Sequence, residues 1–280
     1  MSAWELLQDP HRHYRYNGSW SIGPKGAKRR ILSVTQVLDA ADDRLQQWML
    51  GQAFVAGERD GCAPGLMQRA YARGHGPEAI RDKAAALGTI SHAALEAMSA
   101  GNWRGAKQEA LERADAYQQA RMQHAHDSFG QARRLQPVTT QDLWPRFRAL
   151  EDFFTDHALV TEQSEVAVGS AKHAYAGTFD WFGRMNGVPT LIDAKNTNML
   201  SWRHPVQLAG YELARREMQM RPAKRLLVLR LTAVATYEIA DVAKLGGYAH
   251  ARQTFLHQLK VFRAERRIDG LIDKHKKEHA

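Results

Sequence analysis

The succession of periodicities along the chain predicts an α/β protein, a mixed central β-sheet flanked by helices with a helical N-terminal half. Three observations carry this. Apolar residues recur at helical spacing from about residue 33 to about 158. Near Val160 the period changes to short β-branched and aromatic runs. A helical stretch from Pro205 to Met220 then separates the last two main strand runs, so that strand and helix alternate.

Taken in order, His13 to Ile22 is rich in Tyr and Trp around Asn17-Gly18, a short hairpin signal. A basic loop, Lys25 to Arg30, follows. Ser33-Val34-Thr35 opens a helix, with either hydroxyl available as its N-cap. Leu45, Trp48 and Met49, the Ala-rich stretch Glu78 to Ser99, the polar stretch Lys107 to Leu135, and Leu143 to His157 continue the helical pattern. Breaks at Gly74 to Pro77, Gly101 and Pro137 divide it. Strands are expected over Ser164 to Val168, Ala176 to Met185, Thr190 to Ala194 and Arg225 to Thr232, with a short one at Tyr237 to Ile239. Pro205 suits a first helical turn, where its missing N–H costs nothing. Asp241 to Ile272 reads as helical and leads to the tail Lys274-His275-Lys276-Lys277. The expected organisation is a single domain over 1–280: a mainly helical part to 158, a sheet core over 159–240, and C-terminal helices with a basic tail.

Composition narrows the function classes. Lys and Arg total 39 against 30 Asp and Glu, a net charge of +9, which favours a polyanionic partner, nucleic acid before others. The single cysteine, Cys62, excludes an internal disulfide framework and any four-cysteine zinc or iron–sulfur site. The N-terminal WELLQDPHRHYRY is too polar for a signal peptide, and no apolar run of about 18 residues occurs. The expectation is a soluble, cytoplasmic protein without a membrane partner. No Gly-x-x-x-x-Gly-Lys-Ser/Thr is present, which argues against ATP-driven unwinding by this chain.

The hairpin at Asn186-Gly187 carries the chemistry. A two-residue turn there pairs Met185 with Val188 and, further out, sets Asp180 opposite Asp193, with Cβ atoms about 4.5–5.5 Å apart. Like charges so placed destabilise a sheet unless something positive lies between them, and a divalent cation resolves the conflict. Period 2 puts Lys195 on the face of Asp193, pointing into the same pocket. A metal held there polarises a phosphate and activates water, while the lysine orients that water or offsets charge. The bland alternative is a surface hairpin with solvated charges. Pro189, inside the second strand, is where the register could slip by one residue. Gln207 and Tyr211 lie i, i+4 on one helix face and suit a phosphate or base edge, though packing of the Tyr against the sheet is an equal reading. His92 follows Gly88-Thr89 at an expected helix start, with Glu96 one turn later. His11-x-His13 and His124-x-His126 lack nearby carboxylates at metal-ligand spacing and are read as chance.

Together these residues resemble the PD-(D/E)xK nuclease superfamily, in its RecB-like exonuclease branch. The pieces occur in that family's order: Gly88-Thr89-x-x-His92, Glu165-Val166, Gly177-Thr178-x-Asp180, Asp193-x-Lys195 and Gln207-x-x-x-Tyr211. Ser33-Val34-Thr35-x-Val37-Leu38 also looks like the opening of phage and mitochondrial-type members, so the resemblance covers about residues 30 to 235. It implies a restriction-endonuclease-like core and a Mg²⁺- or Mn²⁺-dependent deoxyribonuclease, an exonuclease of phage or mobile-element recombination and repair. His92, Asp180, Asp193 and the carbonyl of Ala194 would bind the metal, Lys195 would be the catalytic lysine, and Glu165 a further catalytic acid. Gln207, Tyr211, Ser33 and Thr35 would contact or position DNA. Implied partners are DNA and a single-strand annealing or replication and recombination protein. Where the family often has Thr after the lysine, this chain has Asn196. A structure-selective endonuclease or nickase with the same site, and a DNA-binding protein without turnover, are the competing readings.

Overall fold

The structure, a computed structural model, describes residues 5–8, 14–17, 31–39, 77–122 and 138–279. Several expected features therefore lie outside the described residues: the basic loop 25–30, the helical pattern around Leu45, Trp48 and Met49, the stretch 123–135, and both His-x-His pairs. Two strands, β1 (Glu5–Gln8) and β2 (Tyr14–Asn17), form an antiparallel pair. The partner of β2 thus precedes it in the chain, and the segment beyond Asn17 that the expected hairpin would pair with it lies outside the described residues. Then come β3 (Leu32–Ser33) and α1 (Val34–Asp39). Three longer helices follow: α2 (Pro77–Ser99), α3 (Trp103–Met122) and α4 (Thr140–Asp156). The sheet strands are β4 (Leu159–Ser170), β5 (Tyr175–Met185) and β6 (Val188–Lys195). Helix α5 (Arg203–Glu217) leads to β7 (Arg225–Leu231) and β8 (Tyr237–Asp241), and a short 3₁₀ turn precedes α6 (Gly247–Glu278). Among the described residues no helix is long and apolar enough to cross a membrane.

Local chemistry explains the boundaries. Ser33 Oγ accepts from the Gln36 backbone N–H while Gln36 Oε1 accepts from the Ser33 N–H, a reciprocal cap that settles the choice between Ser33 and Thr35. Helix α2 closes on Gly101 at φ 80°, with the Asn102 N–H donating to the Ala97 carbonyl and the Gly101 N–H to the Met98 carbonyl. Gly88-Thr89, expected at a helix start, lies in the middle of α2, where the Thr89 hydroxyl donates to the Ala85 carbonyl. The alanines around it sustain the helix through the glycine.

Six strands make one mixed sheet. β4 and β6 flank β5 antiparallel, β7 joins β6 in parallel through the crossover helix α5, and β8 closes the edge antiparallel to β7. Helices pack on both faces. Helices α1, α5 and α6 bury Val34, Leu208 and Phe255 on one face, and α2 and α4 bury Ile90, Leu95 and Phe153 on the other. The alternation in β7 shows the division, with Val228 in the first layer and Leu227 and Leu229 in the second.

One edge of β5 is shared. β4 runs along almost its whole length, so β3 and β6 must both use the opposite edge. β3 pairs in parallel at Tyr175 and Ala176, and β6 pairs from Trp181 to Met185. Between them, residues 177–180 have no strand on that side, and the sheet forks. This fork positions the site.

Candidate active site

The Asn186-Gly187 turn has both residues at positive φ, 51° and 78°, as a two-residue type I′ turn requires. Met185 pairs with Val188 and Arg184 with Pro189, so the proline does not shift the register. The paired ladder ends at Trp181 and Ile192, one step short of Asp180 and Asp193. Beyond that step β6 leaves β5 and continues beside β7. Asp180 spans the opening with its side chain: Oδ2 accepts from the Ala194 N–H at 2.7 Å.

A second irregularity turns Asp180 toward α2. Strict alternation would place Phe179 and Phe182 on opposite faces, yet both belong to the α1/α5/α6 layer, while Trp181 and Met185 belong to the other. The facing residue, Glu165, has φ 51°, a left-handed conformation costing about 1–2 kcal/mol outside glycine. Arg215, fully buried, packs against this distortion. Its guanidinium lies 3.8 Å from the Phe182 ring centroid and 4.7 Å from that of Phe179. It also donates to Gln163 Oε1 on β4 and to the Arg221 carbonyl.

The result is a cluster. One ligand atom each from His92, Glu165 and Asp180 lies within 4.8 Å of the others. His92 Nδ1 is 3.1 Å from Asp180 Oδ1 and 3.5 Å from Glu165 Oε1. On the neighbouring strand Lys195 Nζ is 2.6 Å from Asp193 Oδ2, which confirms the shared face of Asp193 and Lys195. Asp193 is wholly buried and stands outside the three-residue cluster, as does Glu96.

Charge in this centre is strongly coupled. Burial disfavours the His92 imidazolium, but the Asp180 carboxylate and contacts to Asp180 and Glu165 override it against Lys195, raising the pKa to about 10. Burial also opposes ionisation of Asp180, yet His92, Lys195 and the Ala194 N–H hold it below the usual carboxylate range. Asp193 is pushed up to about 6 by burial, partly offset by Lys195, with the Asp180 charge adding to the rise.

The donor set fits a divalent cation. His92 Nδ1 and Asp193 Oδ2 are buried with ion-pair contacts but no aligned hydrogen bond, and Asp193 Oδ1 is buried without a hydrogen-bond partner among the described residues. Such groups cost about 1–3 kcal/mol each when poorly satisfied, a penalty that a bound cation relieves. Carboxylate oxygens suit Mg²⁺ and Mn²⁺, and the imidazole nitrogen tilts the set toward Mn²⁺.

Beside this centre Thr35, Leu38, Lys195, Arg203, His204 and Gln207 line a pocket of about 200 Å³. Thr35 and Gln207 are thus at the pocket, whereas Ser33 is occupied as the α1 cap and by a 3.0 Å contact to the Thr35 hydroxyl. Tyr211 is only 3% exposed and packs in the core, accepting a 2.7 Å hydrogen bond from Gln207 Nε2. It positions Gln207. Gly177 makes room for it: a Cβ there would lie 2.4 Å from Tyr211 Cε1.

Sequence reading missed Arg203, His204, Arg215 and the anchoring of Asn196. Asn196 Oδ1 accepts from Arg146 Nε at 2.5 Å, and its Nδ2 donates to Ser91 Oγ at 3.2 Å. The amide thereby ties the end of β6 to α4 and to the residue preceding His92, a reach no hydroxyl has. Only Arg203-His204, directly before Pro205 on the helix of Gln207, gave a readable signal. No family model matches the chain, and no curated protein matches it.

Proposed function

We propose that this chain is a metal-dependent deoxyribonuclease hydrolysing phosphodiester bonds, with an exonucleolytic mode implied by the RecB-like order of its motifs. The observation that carries the reading is the convergence of His92, Glu165 and Asp180 within 4.8 Å beside the Asp193–Lys195 pair at the fork of the sheet. The mixed sheet with helices on both faces is compatible with a restriction-endonuclease-like core.

In this reading His92, Asp180 and Asp193 hold Mg²⁺ or Mn²⁺ with Glu165 alongside, and the bound ion supplies Lewis-acid polarisation of the phosphate and a nucleophilic water. The Ala194 N–H fixes the Asp180 carboxylate. Lys195 lines the pocket wall, where its side chain would meet the negative charge that grows on the phosphate oxygens. Gln207, held by Tyr211, offers its amide to the phosphate or sugar of the strand.

Incubation of purified protein with linear DNA and Mg²⁺ or Mn²⁺ tests this. Degradation should stop with EDTA and fall at least about 100-fold in Lys195→Ala, whose thermal unfolding should stay cooperative. Equal cleavage by Lys195→Ala and wild type would refute the assignment.

A further inference from the structure

Between Lys195 and the first residue of α5 runs a loop, 196–202, whose position is tightly fixed. Arg230 Nη1 donates to the Asn198 carbonyl at 2.6 Å and to the Thr197 carbonyl at 3.3 Å, and Glu238 holds the same guanidinium. Asn196 is anchored at one end. At the other, the Ser201 N–H donates to His204 Nδ1 and the Arg203 N–H to Ser201 Oγ. Fixed this way, the loop leaves Met199 75% exposed and Trp202 37% exposed. Trp202 is also the N-cap of α5, with φ −54° and no side-chain hydrogen bond to the helix. Ser, Thr, Asp or Asn would serve that position far better. An indole there sacrifices helix stability and keeps apolar surface in water, the kind of local conflict expected at a working site.

The neighbours say what the apolar surface meets. Lys195 precedes the loop, Arg203 and His204 follow Trp202 directly, and all three line the pocket. The cations of Lys195 and Arg203 next to an exposed aromatic and a thioether match one ligand chemistry, a phosphate with an unstacked base attached. We propose that Met199 and Trp202 form a stacking platform for an unpaired nucleobase, so that the site takes single-stranded or frayed DNA ends. The identity of the strand rests on the nuclease reading. The platform itself requires only the loop and its cationic neighbours. Because Arg230 and Asn196 pre-order the loop, little conformational entropy opposes docking of the base.

Fluorescence anisotropy in EDTA, with no turnover, separates the two. Probes are a labelled 12-mer of thymidines, an abasic strand of equal length and a blunt duplex. Trp202→Ala should weaken binding of the thymidine strand roughly 5- to 150-fold, the loss of one stacked base, and Met199→Ala roughly 2- to 12-fold, the loss of one thioether–ring contact. Trp202→Phe should retain most of the affinity, and the abasic strand and blunt duplex should change less than about twofold. Unfolding midpoints of all variants exclude loss of fold. Unchanged affinity of Trp202→Ala and Met199→Ala for the thymidine strand, or equal losses with the abasic strand, overturns the platform. Absence of Mn²⁺-dependent cleavage alongside the expected base-dependent losses overturns the nuclease reading and leaves the platform standing.

Discussion

Gly177→Ala tests how the site is assembled. Gly177 is not at a positive φ, so its need for hydrogen in place of Cβ comes from its neighbour, not from backbone freedom. The added methyl would lie 2.4 Å from Tyr211 Cε1 and 3.1 Å from Val34 Cγ2. Carbon contacts relax at about 3.5–4.0 Å, so the ring must retreat by about 1 Å. The Gln207–Tyr211 bond is 2.7 Å, and such a retreat stretches it beyond useful length. Overpacking of this kind costs about 1–3 kcal/mol, and loss of the hydrogen bond adds about 1 kcal/mol. Urea unfolding should therefore show a loss of about 2–4 kcal/mol, and DNA cleavage should fall with it. Tyr211→Leu removes the clashing ring carbon, so Gly177→Ala should cost under about 1 kcal/mol on that background, a coupling that a double-mutant cycle reads directly. Additive losses in the cycle, or a Gly177→Ala protein as stable as wild type, would show that the close approach of ring and strand is not what the glycine serves.

Other perturbations address the metal and its support. Saturating Mn²⁺ at about 100 times its Kd should stabilise wild type by about 2.7 kcal/mol, and His92→Ala should abolish most of that gain in a thermal-shift titration. The raised pKa values of Asp193, about 6, and His92, about 10, give the metal-free protein stability that is present at low pH and lost as pH rises through each value. Both protons compete with the ion, so apparent Mn²⁺ affinity should climb about one log unit per pH unit between pH 6 and 10, and more steeply below 6. Calorimetry in buffers of different ionisation enthalpy counts the protons released; zero release at pH 7 contradicts the coupling. Arg215→Met, which takes from the buried Glu212 one of its two arginine partners and frees the two phenylalanines, should cost about 3 kcal/mol in urea and weaken Mn²⁺ binding, whereas an unaffected Mn²⁺ isotherm would show that the distortion at Asp180 needs no pin.

How far the sequence reveals this molecule depends on the range of each interaction. The period change near Val160, the Asn186-Gly187 turn and the shared face of Asp193 and Lys195 follow from neighbours a few residues apart, and all are readable. The register survives Pro189 because the proline is the second residue of β6, near the turn, where its missing N–H is little needed. Glu165 is a different case. Its place in the cluster depends on a left-handed residue and a break of alternation at Asp180, next to residues that pack against Arg215 from another helix. No local pattern announces them. The pairing of Tyr14–Asn17 with the upstream strand Glu5–Gln8 is not announced by any local turn signal, and the far side of the Asn17-Gly18 signal lies outside the described residues. Asn196, conspicuous as a departure, becomes intelligible only when Ser91 and Arg146 are seen within its reach.

The shared edge of β5 also bears on how the protein comes into being. The strand that completes the fork on one side, Leu32–Ser33, leaves the ribosome about 140 residues before its partner Tyr175–Ala176. At ordinary elongation rates it waits about 10–30 s for that partner, while the β5–β6 hairpin, once synthesised, closes within microseconds. Helix α1, which brings Thr35 and Leu38 to the pocket, is tied to the waiting strand. A nascent chain therefore holds two of its six pocket-lining residues in reserve until the sheet is translated, and the pocket closes around them only then.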